Sequence, residues 1–182
     1  MASFNNQWRD SAFTRASSMT SSQLTLLYNE SLDLFLGDGV AKDERRAFAL
    51  NAEAAHGGYS DAVLAMGWFY LNGVGVERDI DQATKWYRKS ARRGHPKAMF
   101  SLGEIAYHEK DFPEALIWFS RASEAGHVRS LYWLGKLYWR GQGVGQGVGQ
   151  DKKKARRLFH RAASSKVLEA QRVLRFWGRR SR

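Results

Sequence analysis

Asn72-Gly73-Val74-Gly75-Val76-Glu77-Arg78-Asp79 contains two glycines, a valine and an aspartate that also stand 36 residues earlier as Gly37, Gly39, Val40 and Asp43. The same offset pairs Ala83 with Ala47 and Gly94 with Gly58. Six identities at one offset mark stacked supersecondary units, none of which can bury its apolar face alone. An array of this kind offers a surface for holding partners before it offers a reaction centre.

Residues 59–94 give the reference unit. Ala62, Met66, Phe69 and Tyr70 recur at helical spacing and predict a first helix from about Asp61 to Leu71. Asn72, Gly73 and Gly75 end it, glycine being the residue best able to leave a helix through a left-handed turn. Asp79 or Asp81 caps the next helix, whose inward stripe is Ala83, Trp86, Tyr87, Ser90 and Ala91. Gly67 stands inside the first helix, with Gly103 and Gly135 at the equivalent places. A helix-interior glycine costs about 1 kcal/mol relative to alanine, so its recurrence calls for a close neighbour, and Trp86 and Tyr87 are expected to fill the space beside it.

The third unit keeps Ala98, Leu102, Gly103, Ala115, Trp118, Phe119, Ala122 and Gly126, but is four residues shorter and replaces the glycine loop with Lys110-Asp111-Phe112-Pro113. The fourth keeps Ser130, Leu134, Gly135, Tyr138, Gly141, Gly143, Ala155, Phe159 and Ala162, and its loop is four longer because Gly143-Val144-Gly145-Gln146 is copied as Gly147-Val148-Gly149-Gln150. A last helix, from about Lys166 to Trp177, has no following partner and reads as a cap. In the first unit Ser31 takes the glycine place, and Leu50 and Asn51 take the aromatic places. The expected fold is all-α: an α/α superhelical solenoid of about four helix-pair repeats plus a C-terminal capping helix. Its units fall at about 23–58, 59–94, 95–126 and 127–165, with the cap at 166–177. A Ser/Thr/Asn-rich leader at 1–22 is expected to be disordered, and 178–182 form a basic tail.

These residues resemble the Sel-one-like repeats, close relatives of the tetratricopeptide repeats. The shared pattern is an alanine, then Leu-Gly, a tyrosine, a Gly-x-Gly-Val loop, an aspartate, Lys-Ala, Trp or Tyr, Ala-Ala and a glycine. The resemblance covers roughly residues 23–177, and the second unit matches best. It implies a helical superhelix that acts as an adaptor in protein complexes. Cysteine-rich relatives linked to β-lactam binding pin each repeat with a disulfide, and this chain has no cysteine.

In such a solenoid the first helices line the concave face. Positions off the packing stripe are Tyr28, Leu64, Trp68, Phe100, Glu104, Tyr107, Tyr132, Lys136, Trp139 and Arg172, with Leu32, Phe35, Leu71 and Phe176 continuing the row. This row is the expected site for a protein or peptide, its aromatics acting as hot spots. Tetratricopeptide relatives that grip a terminal carboxylate carry a Lys/Asn clamp along this face. Leu64 and Trp68 stand on two of those polar places.

The net charge of +11 is unevenly placed: residues 151–182 hold twelve Lys or Arg and two acids, while the remainder holds 17 basic and 16 acidic residues. The basic patch comprises Lys152, Lys153, Lys154, Arg156, Arg157, Arg175, Arg179, Arg180 and Arg182. It offers an alternative function, contact with nucleic acid, an anionic membrane or an acidic protein surface. A solvated tail that aids solubility is the plainer reading.

No run approaches the roughly 20 apolar residues that span a bilayer, and the absence of cysteine fits a reducing compartment, so a cytoplasmic location is expected. The loop from Gly141 to Gln150 has no Gly-Lys-Ser/Thr ending and is not a phosphate loop. His95 and His127 share one repeat position, which structure explains first, and His108-Glu109 lacks the second histidine of a zinc helix. No catalytic residue, metal site or cofactor is expected, and the chain is read as non-enzymatic.

Overall fold

The structure, a computed structural model, describes residues 18–142 and 150–180, the last two as backbone only. Most of the expected leader, the copied glycine loop at 143–149, Arg182 and the side chains of Arg179 and Arg180 lie outside the described residues. Nine helices are present among the described residues: α1 (Ser21–Leu36), α2 (Glu44–His56), α3 (Ser60–Asn72), α4 (Ile80–Ala91), α5 (Pro96–His108), α6 (Phe112–Glu124), α7 (Arg129–Arg140), α8 (Lys152–Ser164) and α9 (Leu168–Arg180). They form four helix pairs and a last helix, as the periodicity predicts. The chain divides into two compact units, residues 1–90 and 91–182.

The recurring aspartate starts every second helix. Asp43, Asp79, Asp111 and Asp151 each accept, through Oδ1, the backbone N–H three residues on, at 3.0, 2.9, 3.0 and 2.7 Å. Asp79, and not Asp81, is therefore the cap in the reference unit. The aspartate N–H also donates back to the preceding helix, at Leu34 O, Tyr70 O, Ala106 O and Tyr138 O, all within 2.9–3.1 Å. Those pairs are nine residues apart in the first two units, five in the third and thirteen in the fourth. Shortening or lengthening the loop by four residues thus leaves the joint between the two helices unchanged. In the shortened loop, Lys110 takes the left-handed conformation (φ 65°) that glycine adopts at Gly37, Gly73 and Gly141.

Small residues sit where helices meet. Ala47, Ala83, Ala115 and Ala155, four places after each capping aspartate, are fully buried, as are Ala62 and Ala98. A Cβ added at Gly67 would lie 2.5 Å from the Tyr87 ring, at Gly103 2.6 Å from Phe119, and at Gly135 2.9 Å from Phe159. The three atoms nearest a carbon at Gly67 all belong to Tyr87, while Trp86 packs edge-on against His56 at 5.5 Å. In the first pair Ser31 replaces the glycine and Asn51 the aromatic residue. Ser31 Oγ donates to Ala47 O (2.7 Å) and Asn51 Nδ2 to Ala62 O (3.1 Å), so buried hydrogen bonds join α1 to α2 and α2 to α3.

Within residues 91–182 the rings continue from pair to pair. Phe119 of α6 stacks on Trp133 of α7 (5.6 Å, 12°), and Phe159 of α8 meets Trp177 of α9 at 5.4 Å. α9 is tied to α8 by Gln171 Nε2 donating to Ala163 O at 3.2 Å.

Candidate functional site

α7 reads Arg-Ser-Leu-Tyr-Trp-Leu-Gly-Lys-Leu-Tyr-Trp-Arg. Leu131, Leu134, Gly135 and Leu137 turn inward and are buried. Tyr132, Lys136, Trp139 and Arg140, at i, i+4, i+7 and i+8, share a second face. Arg172, Val173, Phe176 and Trp177 of α9 stand opposite, and with Phe159 the two helices enclose an open cavity of about 410 Å³.

Its walls are fixed by ring contacts. Trp139 packs on Trp177 with centroids 4.4 Å apart and a 30° tilt, and Tyr132 lies 5.7 Å from Phe159. The Lys136 ammonium sits among three rings, 4.0 Å from Trp133, 4.9 Å from Tyr107 and 5.7 Å from Tyr132. Arg140 Nη1 donates to Tyr107 Oη at 3.0 Å. At the other end of the groove Arg129 pairs with Glu169 at 2.6 Å, joining the N-terminal turns of α7 and α9. Hydrogen bonding to backbone and the Arg129 charge hold the Glu169 carboxyl below its usual range. Burial, followed by the Glu169 and Tyr107 charges, pushes the Tyr132 phenol up.

The structure brings four residues of the expected row, Tyr132, Lys136, Trp139 and Arg172, into this one cavity, and places Tyr107 against Lys136. Three others belong to residues 1–90: Tyr28 packs on Tyr59 (5.2 Å), Leu64 is half-buried, and Trp68 is 39% exposed but held edge-on by Phe35 at 5.1 Å. Glu104 is half-buried, and burial raises its carboxyl against the pull of Arg129 and His108. Phe100 is a correction to the expected row. It is only 8% exposed, lies between Phe119 (5.7 Å) and the His127 ring (4.2 Å), and is a core residue closed to a partner. Arg140 was missed by the sequence reading, although its place four residues after Lys136 puts it on the same helical face. Trp133 was missed because its role comes from the stack on Phe119.

The contact with Phe100 has a pH signature. Burial, aided by Arg129 and Lys97, lowers the His127 pKa from 6.5. As pH falls through that value the unfolded chain gains a proton that the folded ring does not, so the folded state loses stability until the ring protonates in place. Glu104, shifted upward, acts in the opposite sense. We expect the thermal midpoint to fall from pH 7.5 towards 6, and His127→Gln to flatten that slope. Equal slopes for the two proteins would remove His127 as the cause.

The basic patch is split. Lys152, Lys153, Arg156, Arg157 and His160 line a second open cavity of about 500 Å³ whose remaining wall is Trp139. Lys152 Nζ lies 5.5 Å from the Trp139 ring and the Arg156 guanidinium 5.7 Å from Trp177. Lys154 turns elsewhere, donating to Tyr138 Oη at 2.7 Å. Arg175 is exposed on α9. Among the described residues no group of three or more His, Asp or Glu side chains could hold a metal ion.

The family model of the Sel1 repeat matches residues 34–59, 60–95, 96–127 and 128–166. The chain belongs to the Sel1 repeat family. Sel1-repeat proteins are generally protein-interaction adaptors, and the fold is generally non-enzymatic. A Sel1 repeat protein from Oxalobacter formigenes superposes with a TM-score of 0.74 at 29% identity, over 81% of this chain and 60% of that one. A protective antigen present in uropathogenic Escherichia coli strains gives 0.73 at 30% identity, over 84% of this chain and 35% of that one. Among curated proteins, the chitin synthase regulator SKT5 of Saccharomyces cerevisiae is 38% identical over 61 residues, 34% of this chain and 9% of that protein. Protein SHC1 of the same yeast is 36% identical over 64 residues, 35% of this chain and 12% of its own length. The Sel1 chain therefore spans about a tenth of these yeast relatives. No helix among its described residues is long and apolar enough to cross a membrane.

Proposed function

We propose that this chain is a non-enzymatic adaptor that holds a segment of a partner protein between α7 and α9. The observation that carries this reading is the convergence of Tyr132, Trp139, Phe176 and Trp177 with Lys136, Arg140 and Arg172 around one open cavity. Large rings backed by packed neighbours are the side chains that dominate protein interfaces, since they bury much area with little loss of freedom. Phe176, at 55% exposure, is available to be covered. A solenoid exposes its flank to solvent along its length, so a partner segment can lie against it without a rearrangement of the core.

The test is affinity capture with the full chain followed by mass spectrometry, repeated with Trp139→Ala and Phe176→Ala. A specific partner should be lost from both variants and kept by Trp68→Ala, with circular dichroism confirming that all three fold. Retention of the partner by Trp139→Ala and Phe176→Ala would place binding elsewhere.

A further inference from the structure

Residues 91–182 carry twenty Lys or Arg and only seven Asp or Glu. Most of those seven acids are already engaged. Asp111 and Asp151 cap helices, Glu169 is paired with Arg129, and Glu114 Oε1 accepts from Trp118 Nε1. Among the described residues, no carboxylate lines either cavity beside Trp139. Like charges crowded around two concave surfaces raise the local potential, which draws in a partner of opposite sign and repels one of the same sign.

The two cavities are not separate features. Trp139 lines both, with Lys136, Arg140 and Arg172 on one side and four Lys or Arg side chains of α8, with His160, on the other. The first is also apolar in its depth, where Phe159, Val173 and Trp177 close it. From this juxtaposition we propose that the groove selects a partner segment that is acidic and carries one large apolar side chain. The apolar side chain seats between α7 and α9, and the flanking carboxylates run across Trp139 onto α8. This rests on the adaptor reading above and adds the chemistry of the partner.

A nucleic-acid strand fits the observations less well. It brings charge at every phosphate but no aliphatic anchor for the apolar depth. Of the cavity's rings that could stack on bases, Trp139 already packs on Trp177 and Tyr132 on Phe159, which leaves Phe176 as the exposed one and gives no run of rings for successive bases. An extended peptide advances about 3.3 Å per residue. It can therefore set carboxylates on both sides of an anchoring side chain within the width of one helix pair.

The probe is a displayed library of short random peptides selected on the full chain at near-physiological salt. Arg172→Glu, the double variant Lys152→Glu/Arg156→Glu and Phe176→Ala serve as comparison surfaces. These four positions are exposed on their helices, and thermal melts check that the variants stay folded. Enriched peptides should be net negative with a Leu, Phe or Trp among the acids. They should bind roughly tenfold or more weakly to each charge-reversal surface and lose affinity as salt is raised. Enriched peptides that are neutral or basic, weakened by Phe176→Ala but indifferent to Arg172→Glu, would overturn the acidic chemistry and leave the adaptor groove standing. Failure to enrich any peptide, with oligothymidine or phosphatidylserine vesicles retained instead, would overturn both.

Discussion

Gly67→Leu is expected to lower the thermal midpoint of the whole chain by roughly 6–12 °C, the equivalent of about 3 kcal/mol for a protein of this size. The reason lies in the opposite helix. A first carbon at position 67 would stand 2.5 Å from both Cδ1 and Cε1 of Tyr87, and Tyr87 is only 2% exposed, with no solvent to move into. α3 and α4 would have to separate, opening the stripe that includes Ala83 and Met66, both essentially buried. Helix propensity works the other way, because removing an interior glycine favours the helix by about 1 kcal/mol. Gly178→Ala isolates that propensity term: among the described residues nothing lies within 4 Å of a carbon added there, so it should be neutral or stabilising. Equal midpoints for Gly67→Leu and wild type, measured by calorimetry, would contradict the packing account.

Phe119→Ala should cost about 3–5 kcal/mol, the usual range for emptying a buried phenylalanine site. Phe119 is fully buried, fills the space beside Gly103, and supports Phe100 on one side and Trp133 on the other. The consequence reaches the groove. Trp133 is the nearest of the three rings to the Lys136 ammonium, and it stacks on Phe119 of α6 at 12°. Loss of Phe119 should therefore weaken partner binding beyond what unfolding explains, measured under conditions where the variant is fully folded. Phe119→Leu, which keeps much of the volume, should recover most of the stability and only part of the binding. A variant that binds with unchanged affinity while folded would show that the stack does not position Lys136.

Helix order, pair number and the capping aspartates were legible because each depends on local physics repeated several times. Asp79 was undecided against Asp81 until the fold showed which carboxylate meets a free N–H. The second loop glycines of the first two units, Gly39 and Gly75, look equivalent on paper, yet they differ. A carbon at Gly75 would strike the Glu44 carbonyl at the start of α2, whereas one at Gly39 meets nothing within 4 Å among the described residues. That contrast exists because Gly75 has a preceding helix pair against it. Of the expected binding row, Tyr132, Lys136, Trp139 and Arg172 converge, while Phe100 is buried. Helical spacing alone separates faces, but it cannot tell a face covered by a neighbouring ring from one left open.

The amino-acid sequence by itself determined the module, its repetition, the glycine-to-aromatic pairing and the concentration of positive charge towards the C-terminal end. Backbone hydrogen bonding and side-chain period act within a few residues, and the chain states them directly. Only the tertiary structure decided which aromatics are core and which wall a cavity, that Tyr87 and not Trp86 meets Gly67, and that two basic surfaces share Trp139. Those outcomes depend on which atoms from distant parts of the chain exclude one another and water from the same space.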